Sequence, residues 1–120
     1  MSLKPIPARI LTHNAVFRLP AADTWGYSDW TEFPVYSVAL QPEHKVIIGK
    51  DAKERQCNAV MFYDCRLSRG AESLECWMEQ AEQNGKELEV VCLGRTYHVL
   101  GVDWLYDDEG TPHHWEILLC

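Results

Sequence analysis

Near the end of the chain, His113 and His114 stand side by side ahead of Trp115 and Glu116, just after the acidic run Asp107-Asp108-Glu109. Imidazoles and carboxylates this close together are the donors that hold zinc or manganese. On a strand, however, adjacent residues point to opposite faces, so His113 and His114 cannot both reach one ion, whereas His114 and Glu116 share a face. A metal centre would need further ligands, and His98, Asp107 or Asp108 could supply them. No His-x-His or His-Glu-x-x-His spacing announces it. The competing expectation is Trp115 in the core and His114 beside Glu116 on a sheet face, with no metal between them. A thiol nucleophile based by His98 or His13 is a second option, but no spacing singles out one of the five cysteines. Nucleophile-elbow, Walker, dinucleotide and zinc-deaminase patterns are missing.

These residues have to be positioned by a small scaffold. A chain of 120 residues is one domain, able to bury about two thirds of its unfolded surface. With 47% hydrophobic and 24% charged residues, it has a globular composition rather than a disordered one. A net charge of −7 argues against an electrostatic grip on nucleic acid by the whole domain. No apolar run is long enough for a membrane span or a secretory signal, which gives the expectation of a cytosolic chain. Cys57, Cys65, Cys76, Cys92 and Cys120 are odd in number and lack a Cys-x-x-Cys pair, which fits buried, reduced thiols.

The punctuation predicts many short strands. A first strand is expected over residues 11–18, then a polar and aromatic stretch over 21–34 that is a long loop or a loosely paired ribbon. Period-two alternation over 35–41 places Tyr36, Val38 and Leu40 on one face of a second strand. Residues 58–64 carry five apolar residues in a row, the mark of a strand buried on both faces. Leu74, Trp77, Met78 and Ala81 recur at helical spacing, with Ser73 to cap the start and Gly85 to end it. Leu88, Val90 and Cys92 alternate into a strand, and Gly94-Arg95 turns into another over 96–104. Residues 107–110 form an acidic turn, after which Trp115, Ile117 and Leu119 share one face. The expected fold is mainly β: a small β-barrel or compact sandwich with one short α-helix, in a single domain over 1–120.

Residues 42–56 form the expected projecting loop, a hairpin tip or arm. Lys45, Lys50, Lys53 and Arg55 flank its short apolar run Val46-Ile47-Ile48. Such a cluster is ordinarily a solvated loop; as a functional element it is an arm touching DNA or a neighbouring subunit.

Read in order, several segments carry a family resemblance: Leu11-Thr12-His13, Asp23-Thr24-Trp25-Gly26, residues 38–45, Asn58-Ala59-Val60-Met61-Phe62-Tyr63-Asp64 with Ser68, Leu105-Tyr106-Asp107, and His113-His114-Trp115-Glu116. Together they resemble the minor capsid proteins of tailed phages and prophages. The resemblance spans nearly the whole chain; its most specific parts are Phe62-Tyr63-Asp64 with Ser68 and the terminal His113-His114-Trp115-Glu116. The helical run over 73–83 departs from the pattern, where a shorter link is expected. The resemblance implies a non-enzymatic virion part without a cofactor, similar to head-completion and head–tail connector proteins of stopper type. Its implied partners are the portal, other connector or tail proteins and further copies of itself in a ring, with packaged DNA as a further contact and no membrane. Its implied place is the cytoplasm of the bacterial host during assembly, then the virion. The alternative is a small metal-dependent or thiol enzyme using His98, Asp107, His114 and Glu116.

Overall fold

A computed structural model describes residues 6–21, 29–48 and 52–120. Trp25, Gly26 and Lys50, singled out above, lie outside the described residues. After a 3-10 turn at Ala8–Ile10, the elements are β1 (His13–Pro20), β2 (Trp30–Ile48), β3 (Glu54–Asp64), α1 (Leu74–Gln83), β4 (Glu89–Cys92), β5 (Arg95–Tyr106) and β6 (Pro112–Leu119). All neighbours are antiparallel, and the strands close into a barrel in the order β1-β2-β3-β6-β5-β4. Of the two expected architectures, the chain adopts the barrel with one short helix.

The interior follows from alternation. Ala15 and Phe17 of β1, Ala59, Met61 and Tyr63 of β3, Val90 and Cys92 of β4, and Ile117 and Leu119 of β6 turn inward and are buried. Burying a large apolar side chain contributes about 1.5–3 kcal/mol, so this row supplies most of the driving force. β3 is indeed covered on its other face too: Cys57 and Val60 form a second cluster with Leu118, against Ile47, Phe62 and Leu100.

Alternation fails in β2. Val35 and Val38 are both fully buried, while Tyr36 is 48% exposed. The cause is a bulge: β1 advances from His13 to Ala15 while β2 advances from Val38 to Val35, and Ser37 takes the left-handed φ of 60°. Tyr36 therefore leaves the face it was expected to share with Val38 and Leu40. Its backbone exchanges hydrogen bonds with Arg69 instead, pinning the turn after β3 to the outside of β2.

Three further expectations are adjusted. The first strand begins two residues later than periodicity suggests, because residues 8–10 form the 3-10 turn. Of the two expectations for 21–34, the paired ribbon holds for residues 30–34, since β2 opens at Trp30 opposite Pro20. Ser73 stands at the N-cap but its hydroxyl makes no capping bond; the first helical N–H, that of Leu74, goes to the Ala71 carbonyl. The far end behaves as expected, with Gly85 at a φ of +71° and the Lys86 N–H returning to the Ala81 carbonyl.

α1 closes a defect in the barrel. β4 has only four residues, so it joins β1 over Ala15 to Arg18 and β5 over Arg95 to His98 and no further. Past that point the wall between β1 and β5 opens. α1 packs on β1 here, with Trp77 stacked on Phe33 at 4.2 Å and tilted against Phe17 at 5.7 Å.

Candidate functional site

At one end of the barrel Phe62-Tyr63-Asp64 with Ser68 and His113-His114-Trp115-Glu116 converge. Asp64 is fully buried; its Oδ1 accepts the N–H groups of Arg66 (2.8 Å) and Leu67 (3.0 Å), and its Oδ2 accepts that of Ile6 (2.7 Å). Ser68 Oγ accepts the Asp64 N–H at 2.9 Å and donates to the Ser37 carbonyl at 2.5 Å. The Tyr63 hydroxyl accepts the Ala71 N–H at 3.3 Å. Phe62-Tyr63-Asp64 with Ser68 is thus a knot that ties the turn over 65–71 to the β2 bulge and to the N-terminal segment. Phe62 itself lies on the outer face, its ring 6.5 Å from that of His114.

Burial raises the Tyr63 hydroxyl from 10.0 to about 12, with nearby Glu72 adding to the rise and the Ala71 N–H opposing it. The folded state therefore favours the neutral phenol. That contribution is intact below the ordinary tyrosine range and is lost as pH climbs through about 12. In an absorbance titration, one tyrosine should ionise only together with alkaline unfolding, and Tyr63→Phe should remove that step; normal ionisation of every tyrosine in the folded protein would contradict it.

The two histidines come together rather than apart. Their Nδ1 atoms lie 2.7 Å apart, with the rings nearly perpendicular at 77°. This corrects the expectation of opposite faces. β6 carries an irregularity where Leu105 pairs with His114 and Tyr106 with Pro112, leaving His113 as the extra residue of a bulge. His113 is buried, and its carbonyl accepts the Cys65 N–H. His114 Nε2 lies 3.2 Å from Glu116 Oε2 on the outer face, as expected for that pair. Trp115 turns inward, half-buried, stacked on Tyr63 at 4.9 Å and edge-on to Trp104 at 4.9 Å.

The residues of the metal alternative do not assemble. His98 exchanges backbone bonds with Cys120 at the opposite end of β5, seven positions (105 − 98) from Leu105, the partner of His114. At about 3.3 Å per residue that is about 23 Å. Asp107 Oδ1 accepts the N–H groups of Glu109 and Thr111 and shapes the β5–β6 turn. Among the described residues, no three His, Cys, Asp or Glu side chains are grouped to hold a metal ion. For the thiol alternative, burial and the Asp64 carboxylate push Cys65 up to about 11, and burial pushes Cys92 up, so both remain protonated near neutrality. His13 Nδ1 accepts the Leu40 N–H at 3.0 Å.

The projecting segment over 42–56, expected as a hairpin tip or arm, is a paired ribbon. β3 pairs with β6 only from Ala59 onward, while β2 and β3 stay paired from Lys45–Cys57 out to Ile48–Glu54. Ile47 packs inward, whereas Val46 and Ile48 are 58% and 72% exposed on the other face. Arg55 Nη1 lies 2.6 Å from Glu87 and Nη2 lies 3.3 Å from Cys120 Sγ, bracing the ribbon to the barrel end. That bond to Glu87 raises the Arg55 pKa further. Lys53 is exposed at the start of the returning arm.

A feature the sequence reading missed is a groove of about 840 Å³ running from the ribbon along β5, with Met78, Glu79 and Glu82 of α1 on its far side. It continues through Glu75 and Trp104 into a notch of about 160 Å³ edged by Glu72, Tyr106 and Trp115. Its sequence signal was the mismatch between a four-residue β4 and a twelve-residue β5. No helix among the described residues is long and apolar enough to cross a membrane. Compared with protein-family models, curated proteins and solved structures, the chain gives no match.

Proposed function

We propose that this protein is a non-enzymatic part of a tailed-phage or prophage particle, a minor capsid or head–tail connector component of stopper type. In this reading it assembles on the portal beside other connector or tail proteins and with further copies of itself, in the bacterial cytoplasm and then in the virion. The observation that carries it is the braced β2–β3 ribbon, which leaves the barrel with Val46 and Ile48 exposed on one face. Two adjacent β-branched side chains held in water by a rigid ribbon suit a protein–protein contact, and head-to-tail contacts of this kind close rings. The resemblance in the Phe62-Tyr63-Asp64, Ser68 and His113-His114-Trp115-Glu116 segments supplies the family.

Deleting the ribbon is a poor test, because Ile47 and Cys57 help bury Val60 and Leu118. Val46→Ser combined with Ile48→Ser touches only the exposed face. The double variant should keep the parent's thermal midpoint within a few degrees and lose about tenfold or more in co-sedimentation with portal assemblies. Equal co-sedimentation of variant and parent would overturn the ribbon's role. Lys45 and Lys53 on the same ribbon make packaged DNA the secondary contact, and Lys45→Glu with Lys53→Glu should then lower DNA retention while leaving assembly intact.

A further inference from the structure

The groove beside β5 has an open strand edge for its floor. From Leu100 onward β5 pairs with β6 alone among the described residues, because the β4 ladder ends at His98 and the bond from Val99 to Leu88 is the last on that side. Alternation sets which backbone groups face the opening. His98 exchanges both bonds with Cys120 on the β6 side, and the Val99 N–H turns the other way to the Leu88 carbonyl. The irregularity between Val99 and Gly101 shifts the count by one, so Gly101 and Asp103 face β6 while Val102 and Trp104 direct N–H and C=O into the groove. Residues 99–104 all line it, as expected where a strand is met along its edge.

The walls name the chemistry of the occupant. Glu75 and Glu79 are exposed along the α1 side, and Asp103 lines the β5 side; Lys45, Arg55 and Lys86 also line the groove, but none of them borders the adjoining notch. The adjoining notch combines Glu72 and Glu75 with Trp104, Tyr106 and Trp115. Carboxylates beside indole and phenol rings suit an ammonium or guanidinium group, which gains both ion pairing and cation–π attraction. An acidic helix across from an open edge also discourages casual pairing by neutral or acidic strands.

We propose that this groove is a strand-addition site for an extended, basic segment of another protein, which pairs with the edge at Val102 and Trp104 and seats a lysine or arginine in the notch. Backbone bonds to β5 supply affinity, and the carboxylates and rings supply selectivity. The groove meets the ribbon at Ile48, but the strand edge and the notch that define the site are built from β5, β6 and α1, and it does not depend on the connector role.

The test uses the purified full chain and an N-acetylated octapeptide of alternating valine and arginine, read by tryptophan fluorescence and by backbone amide NMR shifts. Binding should shift the amides of Val102 and Trp104. It should weaken about tenfold or more when every second peptide nitrogen is methylated, when citrulline replaces arginine, or when the chain carries Glu75→Lys with Glu79→Lys. Both helix positions are exposed, so that variant keeps its fold; Val102→Pro, which removes an edge donor, is the second variant and should also weaken binding. No response up to about 1 mM peptide, or equal binding of the methylated and citrulline peptides, would overturn the proposal. A dimer of the chain alone that Val102→Pro abolishes would overturn it in favour of a second copy as the occupant. No portal is present in this assay, so its failure leaves the connector reading standing, and the reverse holds too.

Discussion

Gly70→Ala should remove about 3–5 kcal/mol of folding stability, a large part of what a domain of this size possesses. A Cβ built at Gly70 would lie 2.3 Å from the Pro34 carbonyl oxygen and 3.2 Å from the Val35 Cα. Both atoms are backbone in β2, so neither can rotate away. The residue also sits at a φ of +105°, a region costing a side chain about 1–3 kcal/mol. Relief requires lifting the turn over 65–71 off β2. That breaks the Tyr36–Arg69 exchange and the Ser68–Ser37 bond, and unseats buried Ala71 and Leu74 behind them. Gly85→Ala is the internal control: its φ is +71° with nothing within 4 Å, so it should cost only about 1 kcal/mol of left-handed strain. Urea unfolding of the two variants with unchanged slopes measures the difference. Equal midpoints would mean that the close approach to Pro34 is not what demands glycine.

The barrel was legible because its strands obey one rule. Period-two alternation in β4 and β6 and the apolar run of β3 place the same residues inside that the structure buries, and the stripe from Leu74 to Ala81 forms α1. What was not legible lies where alternation is interrupted. The bulge at Ser37 turned Tyr36 outward, and the bulge at His113 brought two histidines into contact. A bulge inserts one residue without altering composition, and neither Ser37 nor His113 is a residue type that announces it. The arm over 42–56 was legible as a hairpin but not as a braced one, because Arg55 meets Glu87 across 32 positions of sequence. The groove was hidden for a related reason. It exists because two strands of unequal length are paired, and pairing is a property of topology that no local window contains.

The same interruptions give the second large effect. Asp64→Ala should cost about 3–4 kcal/mol, since one buried carboxylate gathers three N–H groups from two parts of the chain and each charge-assisted bond is worth about 1.5–3 kcal/mol before water substitutes for some of it. Asp64→Asn keeps the shape but exchanges one acceptor oxygen for a donor NH2 group. Oδ1 serves Arg66 and Leu67 while Oδ2 serves Ile6, so the amide can satisfy one set only. Keeping oxygen toward Arg66 and Leu67 preserves two bonds and sacrifices the tie to Ile6. The asparagine variant should therefore lose about half as much stability as alanine, with faster hydrogen exchange at Ile6 but near-parental protection at Leu67. A uniform rise in exchange at all three amides would show that the carboxylate acts through its charge rather than through these directed bonds. Either result separates two explanations for a motif that resembles a family signature: an aspartate kept for a partner, or one kept because the turn after β3 and the N-terminal segment cannot meet without it. The three internal acceptances, together with zero exposure, favour the second. On that account the Asp64 knot holds the barrel end together, and the contacts we propose with other proteins rest on the ribbon and the β5 groove instead.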